Sequence, residues 1–335
     1  MPGLRIVIVT PAPSGSRAGN RHTALRWARL LRGLGARADI RDDWNGGNED
    51  IMIALHARKS RPAMLAWRAR HGERPLVLAL TGTDLYQDIR TDAEARASLD
   101  MASRLVVLQA AALDELTPTQ RSLCRVIHQS VTLGRTGLPQ PQAIPPRRLR
   151  FCILGHLRAE KDPFRAVFAL QRMPDLPRQA RIEVVQAGAA LSEPMAAEAR
   201  RLMAVEPRYR WVGELPHWRA LKLLQRSRAM ILSSRLEGGA HVISEAIAAG
   251  VPVLASDIPG NRGLLGDDYP AYFPVGDEVA LAGLMRLTLE APEFLASLAD
   301  SLKSRRPLIE PRREVEAWRD LLAELLPAFP LTPPH

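Results

Sequence analysis

Short apolar runs recur along this chain at intervals of roughly one helix. They fall at Leu4–Val9, Ile51–Leu55, Leu76–Leu80, Leu105–Leu108 and Arg125–His128. Unbroken runs of this kind mark strands buried on both faces, as in a parallel sheet. The stretches between them have helical spacing. In the first, residues 20–34, Ala24, Trp27, Ala28 and Leu31 give an i, i+3, i+4, i+7 stripe, and Arg26, Arg29 and Arg32 are expected to face away from it. Gly33 and Gly35 suit the end of that helix.

Residues 132–150 break the rhythm with Pro139, Pro141, Pro145 and Pro146, and read as a linker. The strand–helix alternation then restarts, with strands expected at Phe151–Leu154, Ile182–Gln186, Tyr209–Val212, Ala229–Leu232 and Val251–Leu254. A helix is expected over 240–249, stopped by Gly250 and Pro252. The expected fold class is α/β, as two doubly wound, Rossmann-like domains facing each other across a cleft. Residues 1–140 form the first and 150–310 the second. Near the end, Val315, Trp318, Leu322 and Leu325 make a further helical stripe over 312–335. Such folds bind ligands at the carboxyl ends of their strands.

Composition adds limits rather than a function. The 335 residues are 46% apolar and 24% charged, which excludes wholly disordered and collagen-like chains. No apolar run approaches the ~18 residues of a membrane helix. Two cysteines, Cys124 and Cys152, are too few for a disulfide framework or a four-thiolate metal site, so a reducing, cytoplasmic setting is expected. A net charge of +10 invites nucleic acid as a partner. However, only Lys59, Lys161, Lys222 and Lys303 are lysines, and the arginines are scattered without a dense basic tail. Arginine-rich surface is the simpler reading, and neither nucleic acid nor membrane is expected as a partner.

The segment richest in candidate chemistry is residues 233–246. Glu237 and Glu245 lie eight apart across Gly238-Gly239, and Ala240 and His241 follow where a helix opens. Glycines let backbone approach a ligand closely, and free N–H groups at a helix start favour phosphate. Glu245, in the second turn, can accept from two vicinal hydroxyls, as on a ribose. Glu237 can reach a second polyol. A solvated Glu245 and a Glu237 that merely favours the helix dipole would have the same spacing. A second segment, residues 154–162, follows a strand and holds His156, Arg158 and Lys161, cations placed to oppose a diphosphate. A third, residues 211–216, ends a strand at Gly213 and continues through Glu214 and Leu215. In the amino half, Arg17, Gly19, Asn20 and Arg21 open a helix after the first strand, a suitable place for an anionic acceptor, although a helix cap with surface arginines reads the same way. His56 and Lys59 follow another strand, and Thr81-Gly82-Thr83-Asp84 a third. The chain has no GxGxxG fingerprint, nucleophile elbow, His-Glu-x-x-His or phosphate-loop lysine. Neither a metal nor a resident cofactor is expected.

Glu-x7-Glu followed by AIAAGVPVLAS (246–256) resembles the donor-binding signature of GT-B retaining glycosyltransferases of the family 4 type. The resemblance implies Glu245 for the nucleotide ribose and Glu237 for the sugar. It implies Gly238, Gly239 and Ala240, with the adjoining His241, for the diphosphate-sugar region, and Glu214 and Leu215 for uracil. Lys161 matches the family's lysine. His156 stands where an arginine is usual, with Arg158 as the candidate for the missing charge. Thr81 stands where many GT-B enzymes carry a histidine.

Longer strings carry a nearer resemblance. TPAPSGSRAGNRHTALRWARLLRGLG (10–35), LVLALTGTDLYQDI (76–89), RLVVLQ (104–109), LGHLRAEKDPFRA (154–166), RYRWVGELPHWRAL (208–221), the long string from 232 to 266 and YPAYFPVGD (269–277) are similar to the selenosugar synthase family of selenoneine biosynthesis. That resemblance implies UDP-N-acetylglucosamine as donor and selenophosphate as acceptor, giving a 1-seleno sugar, UDP and phosphate. It casts Lys161, Arg158 and Glu237 in the transfer step. Arg17, Gly19, Asn20, Arg21, His56, Lys59, Thr81 and Thr83 become the acceptor-side residues. An anionic selenium nucleophile needs little general-base help. A GT-B enzyme with an alcohol or lipid acceptor, or a UDP-sugar epimerase, would share the donor residues. GT-B folds often return a terminal helix to the amino domain, which is expected of 312–335.

Overall fold

The apolar runs form two six-stranded sheets in which every neighbouring pair is parallel. The structure, a computed structural model, describes residues 3–16, 19–131, 148–174 and 181–327. Two compact units divide the chain. One is the chain to Ser130 together with the segment from Glu310, and the other is Val131–Ile309.

In the first unit the strands are β1 (Arg5–Val9), β2 (Arg37–Arg41), β3 (Ile51–Leu55), β4 (Leu76–Leu80), β5 (Arg104–Val107) and β6 (Cys124–Val126), ordered β2-β1-β3-β4-β5-β6. The two-residue period of a strand explains the unbroken apolar runs. Ile6, Ile8, Ile51, Ile53 and Leu55 pack on one face with Trp27, Leu31 and Trp318. Val7, Val9, Met52, Ala54, Leu76 and Leu78 pack on the other with Trp44, Met64 and Trp67. Both faces are covered, so no polar alternation survives.

The first helix, Gly19–Gly33, buries Ala24, Trp27, Ala28 and Leu31 as its stripe predicts. The expectation for Arg26 needs correction. Its guanidinium is half-buried and pairs with Glu314 of the helix Pro311–Leu325. Glu314, 3% exposed, also accepts from Trp27 Nε1 at 3.1 Å and from the Ser130 amide at 2.9 Å. Trp318 meets Trp27 edge-on, with ring centroids 4.8 Å apart.

The second unit contains β7 (Arg148–Leu154), β8 (Arg181–Ala187), β9 (Tyr209–Trp211), β10 (Ala229–Leu232), β11 (Val253–Ser256) and β12 (Tyr272–Phe273), ordered β12-β11-β10-β7-β8-β9. Several sequence expectations shift. Residues 148–150 belong to β7 rather than to the linker, whose remainder lies outside the described residues. β11 begins at Val253, two residues late, because Pro252 has no N–H to give the ladder. Its carbonyl instead accepts from Met230. β2 and β12 lie at sheet edges and were not apparent in the sequence. β2 reads Arg-Ala-Asp-Ile-Arg, too charged to stand out as an apolar run, and β12 is two residues long.

Candidate functional site

In the second unit β7 lies at the centre, and the chain goes to β8 and β9 on one side and to β10 and β11 on the other. The loops after β7 and β10 therefore diverge at a topological switch point, where open α/β sheets hold ligands. These are the loops that hold residues 155–162 and 233–240. A shallow cavity there is lined by Gly155, His156, Lys161, Gln186, Ser233 and Ser234.

Lys161 and Glu237, 76 residues apart in sequence, form an ion pair in this site. Ser234 donates its hydroxyl to the same Glu237 oxygen at 2.6 Å. Glu237 is buried, which a solvated loop carboxylate would not be. Ser233 Oγ donates to the carbonyl of Asp162 at 2.8 Å and fastens the two loops together. Asp162 sits at φ 42°, in the left-handed region, where Asp is tolerated better than most residues. Gly260 completes the support, since a Cβ there would lie 1.9 Å from the Glu237 carbonyl oxygen.

The helix after β10 runs His241–Ala249, and its start at Ala240 carries no side-chain cap. Its first N–H groups therefore lack the usual side-chain acceptor. Glu245 is buried in this helix beneath two imidazoles. His217 Nε2 lies 2.6 Å from Glu245 Oε1, and His241 Nε2 lies 3.8 Å from the same oxygen. The hydrogen bond to Glu245 raises the His217 pKa above its ordinary 6.5, against a smaller opposing effect of burial. His217 opens the helix His217–Gln225, directly after Glu214-Leu215-Pro216. Sequence reasoning missed it as an individual residue. A histidine at the start of a helix that follows a strand-end loop was the available signal.

The other expected donor-side residues are less tightly held. Arg158 is exposed, with Glu160 at 4.0 Å. His156 turns its Nδ1 to the Ala189 amide at 3.2 Å, a structural bond across adjacent loops. Glu214 is exposed and Leu215 is partly buried against the core.

The first unit repeats the switch-point logic between β1 and β3. The loop after β1 leads to Gly19, Asn20 and Arg21, with Arg21 3.6 Å from Asp42; Arg17 lies outside the described residues. After β3, His56 is buried at φ 81°. After β4, Asp84 accepts from the amides of Thr81 at 2.9 Å, Gly82 at 2.8 Å and Ala57 at 3.1 Å, tying the two turns together. His56 Nε2 lies 3.1 Å from Thr83 Oγ1, whereas Lys59 presents an exposed side chain. Asp84 and Asp88 are further members of this cluster that the sequence did not single out for a role. Both cysteines are buried and free, with thiol pKa values pushed up to about 12 by burial, which keeps them unreactive.

Two parallel, doubly wound units, one carrying a Lys–Glu pair and an uncapped helix at its switch point, define a GT-B architecture. A family model for glycosyl transferases group 1 matches residues 135–305, just over half of the chain, and the protein belongs to that family. Among curated proteins, none matches it. Solved structures share the fold along nearly the whole chain. HepE of Anabaena, in complex with UDP and glucose, is 15% identical with a TM-score of 0.74, over 96% of this chain and 100% of that one. Sucrose-phosphate synthase from Thermosynechococcus elongatus is 15% identical with a TM-score of 0.75, over 97% and 100%. A glycosyltransferase from Rickettsia africae is 13% identical with a TM-score of 0.71, over 97% and 99%. Among the described residues no helix is long and apolar enough to cross a membrane.

Proposed function

We propose that this glycosyltransferase uses UDP-N-acetylglucosamine to glycosylate the selenium of selenophosphate. The observation that carries the donor half is the Lys161–Glu237–Ser234 cluster beside the uncapped start of the helix His241–Ala249. In this reading the helix N–H groups and Lys161 take the diphosphate, Glu237 meets a sugar hydroxyl, and Glu245 takes the ribose. The UDP seen with HepE, a protein of the same fold, supports UDP as the nucleotide. Arg158 lies on the same loop as a second cation for the diphosphate, and Glu214 and Leu215 lie beyond β9 for the base.

The acceptor half rests on the strings that resemble selenosugar synthases, together with the loops after β1, β3 and β4. Selenium attacks C1 and forms the C–Se bond. The C1–O bond breaks, and its electron pair leaves on the β-phosphate of UDP. Water then cleaves the Se–P bond and releases phosphate and the seleno sugar. The enzyme's electrostatic task is to stabilise charge on the departing UDP, where a fixed cation is most effective.

The test is mass spectrometry of the purified protein with UDP-N-acetylglucosamine, with and without fresh selenophosphate. A selenium isotope pattern on a hexosamine mass, and UDP released only when selenophosphate is present, is the expected result. UDP released equally without selenophosphate would overturn the acceptor and keep the donor.

A further inference from the structure

The geometry points to Thr83 as a hydroxyl donor, oriented by His56, that recognises an oxyanion on the acceptor. The inference rests on the transferase reading and narrows it to acceptors that arrive already ionised.

The turn after β3 is held from several sides. The His56 amide donates to the Ala79 carbonyl at 2.9 Å, and the Ser60 amide donates to the His56 carbonyl at 3.1 Å. Ser60 Oγ donates to the Leu55 carbonyl at 2.6 Å, and the Ala57 amide donates to Asp84 at 3.1 Å. These bonds keep a non-glycine residue at φ 81°, a conformation that costs about 1–3 kcal/mol and persists only where the surroundings fix it. The backbone is thereby fixed, and the imidazole is held at its two nitrogens by the Lys59 amide and Thr83 Oγ1.

Its tautomer follows from its neighbours. Nδ1 faces the backbone N–H of Lys59 at 3.4 Å, so Nδ1 accepts and carries no proton. In the neutral ring the proton then sits on Nε2. Burial, the largest influence, lowers the His56 pKa below 6.5 and favours that neutral form; Asp84 and Asp88 oppose the shift, while Lys59 and Arg58 reinforce it. Nε2–H therefore donates to Thr83 Oγ1 at 3.1 Å, with Asp88 Oδ2 farther away at 3.7 Å.

An oxygen that accepts from His56 has its own hydrogen left to give. Both nearby carboxylates are engaged, Asp84 by three backbone amides and Asp88 by Arg58 Nε at 3.1 Å. Thr83 is partly exposed, and of the two cations in the turn after β3 Arg58 is paired with Asp88 while Lys59 presents an exposed side chain. A partly exposed hydroxyl with its hydrogen to give suits an oxyanion such as phosphate. It does not suit an alcohol that must lose a proton, because the Nε2 that would receive that proton already holds one.

His56 is thus a positioning residue, and its signature is spectroscopic. The first measurement is a long-range 15N–1H correlation of the full-length protein's imidazoles, titrated with inorganic phosphate. The expected result is an Nε2–H tautomer for His56 whose resonances shift on phosphate addition, with the shift lost in Thr83→Val and kept in Thr83→Ser. The second is turnover. Thr83→Val is expected to raise the KM for selenophosphate and the Ki of phosphate about tenfold, the worth of one charge-assisted hydrogen bond. It is expected to leave kcat within about twofold and the KM for the UDP-sugar unchanged. An Nδ1–H tautomer, or a phosphate shift indifferent to Thr83→Val, overturns the inference. Absence of turnover with selenophosphate, while phosphate still binds through Thr83, would overturn the proposed acceptor and keep the oxyanion site.

Discussion

At the scale of single residues, the strongest commitments concern charges placed against each other. Lys161 is bonded to Glu237 at the site proposed for the diphosphate. Lys161→Ala should therefore lower kcat by about 10²–10³-fold, as for loss of a donor that acts on developing charge. Steady-state kinetics with UDP-N-acetylglucosamine decide it, and an unchanged kcat/KM would remove Lys161 from the transfer step. His217 supplies a pH signature. Its pKa is raised by the hydrogen bond to Glu245. The stabilising pair is thus fully formed below the ordinary imidazole value near 6.5 and is lost as pH rises through the raised value. Glu245→Gln should bring the His217 midpoint back toward 6.5 in an NMR titration. A midpoint indifferent to that change would mean another group sets it.

The residues of the candidate site were only partly legible in the sequence. Glu237, Glu245 and Lys161 stood out by spacing and by family resemblance. The partners they have in the fold did not, because Ser234 and His217 are ordinary residue types whose meaning depends on what packs beside them. His56 was singled out for its position at a strand end. Its positive-φ backbone and the hydrogen bond to Thr83 depend on contacts within its own turn and with residues 79–84 beyond it.

At the scale of elements, the apolar runs predicted the central strands because those strands are covered on both faces. Of the edge strands, β6 and β9 were legible, whereas β2 and β12 escaped. β2 exposes part of its length and accommodates charge, so its sequence does not betray it. Boundaries moved where proline intervened, as at β11. The helix Pro259–Leu265 yields a prediction of its own. Gly260 lies so close to the Glu237 carbonyl that Gly260→Ala must push the loop carrying Glu237. The expected result is an increase in the KM for the UDP-sugar with a loss of thermal stability. An unchanged KM would show that the loop tolerates the displacement.

At the scale of the whole molecule, Glu314 joins the last described helix to the rest of the first unit through Arg26, Trp27 and Ser130. Removing one member of such a buried charged network leaves its partners uncompensated. Glu314→Ala should cost about 3–5 kcal/mol in denaturant unfolding. A loss below about 1 kcal/mol would mean that the aromatic packing of Trp318 on Trp27 holds the helix without it.

That last helix also sets an order of events on the ribosome. The segment that covers Trp27 follows the Trp27 helix by nearly three hundred residues, with the whole of Val131–Ile309 made in between. At ~5–20 residues per second, roughly 180 residues of intervening synthesis take about 10–40 s. At the end of that interval the later-made unit has its full sequence, while the earlier-made unit still waits with a tryptophan-bearing face uncovered. A chain truncated before Glu310 would remain in that waiting state, a client for chaperones rather than a finished half of an enzyme.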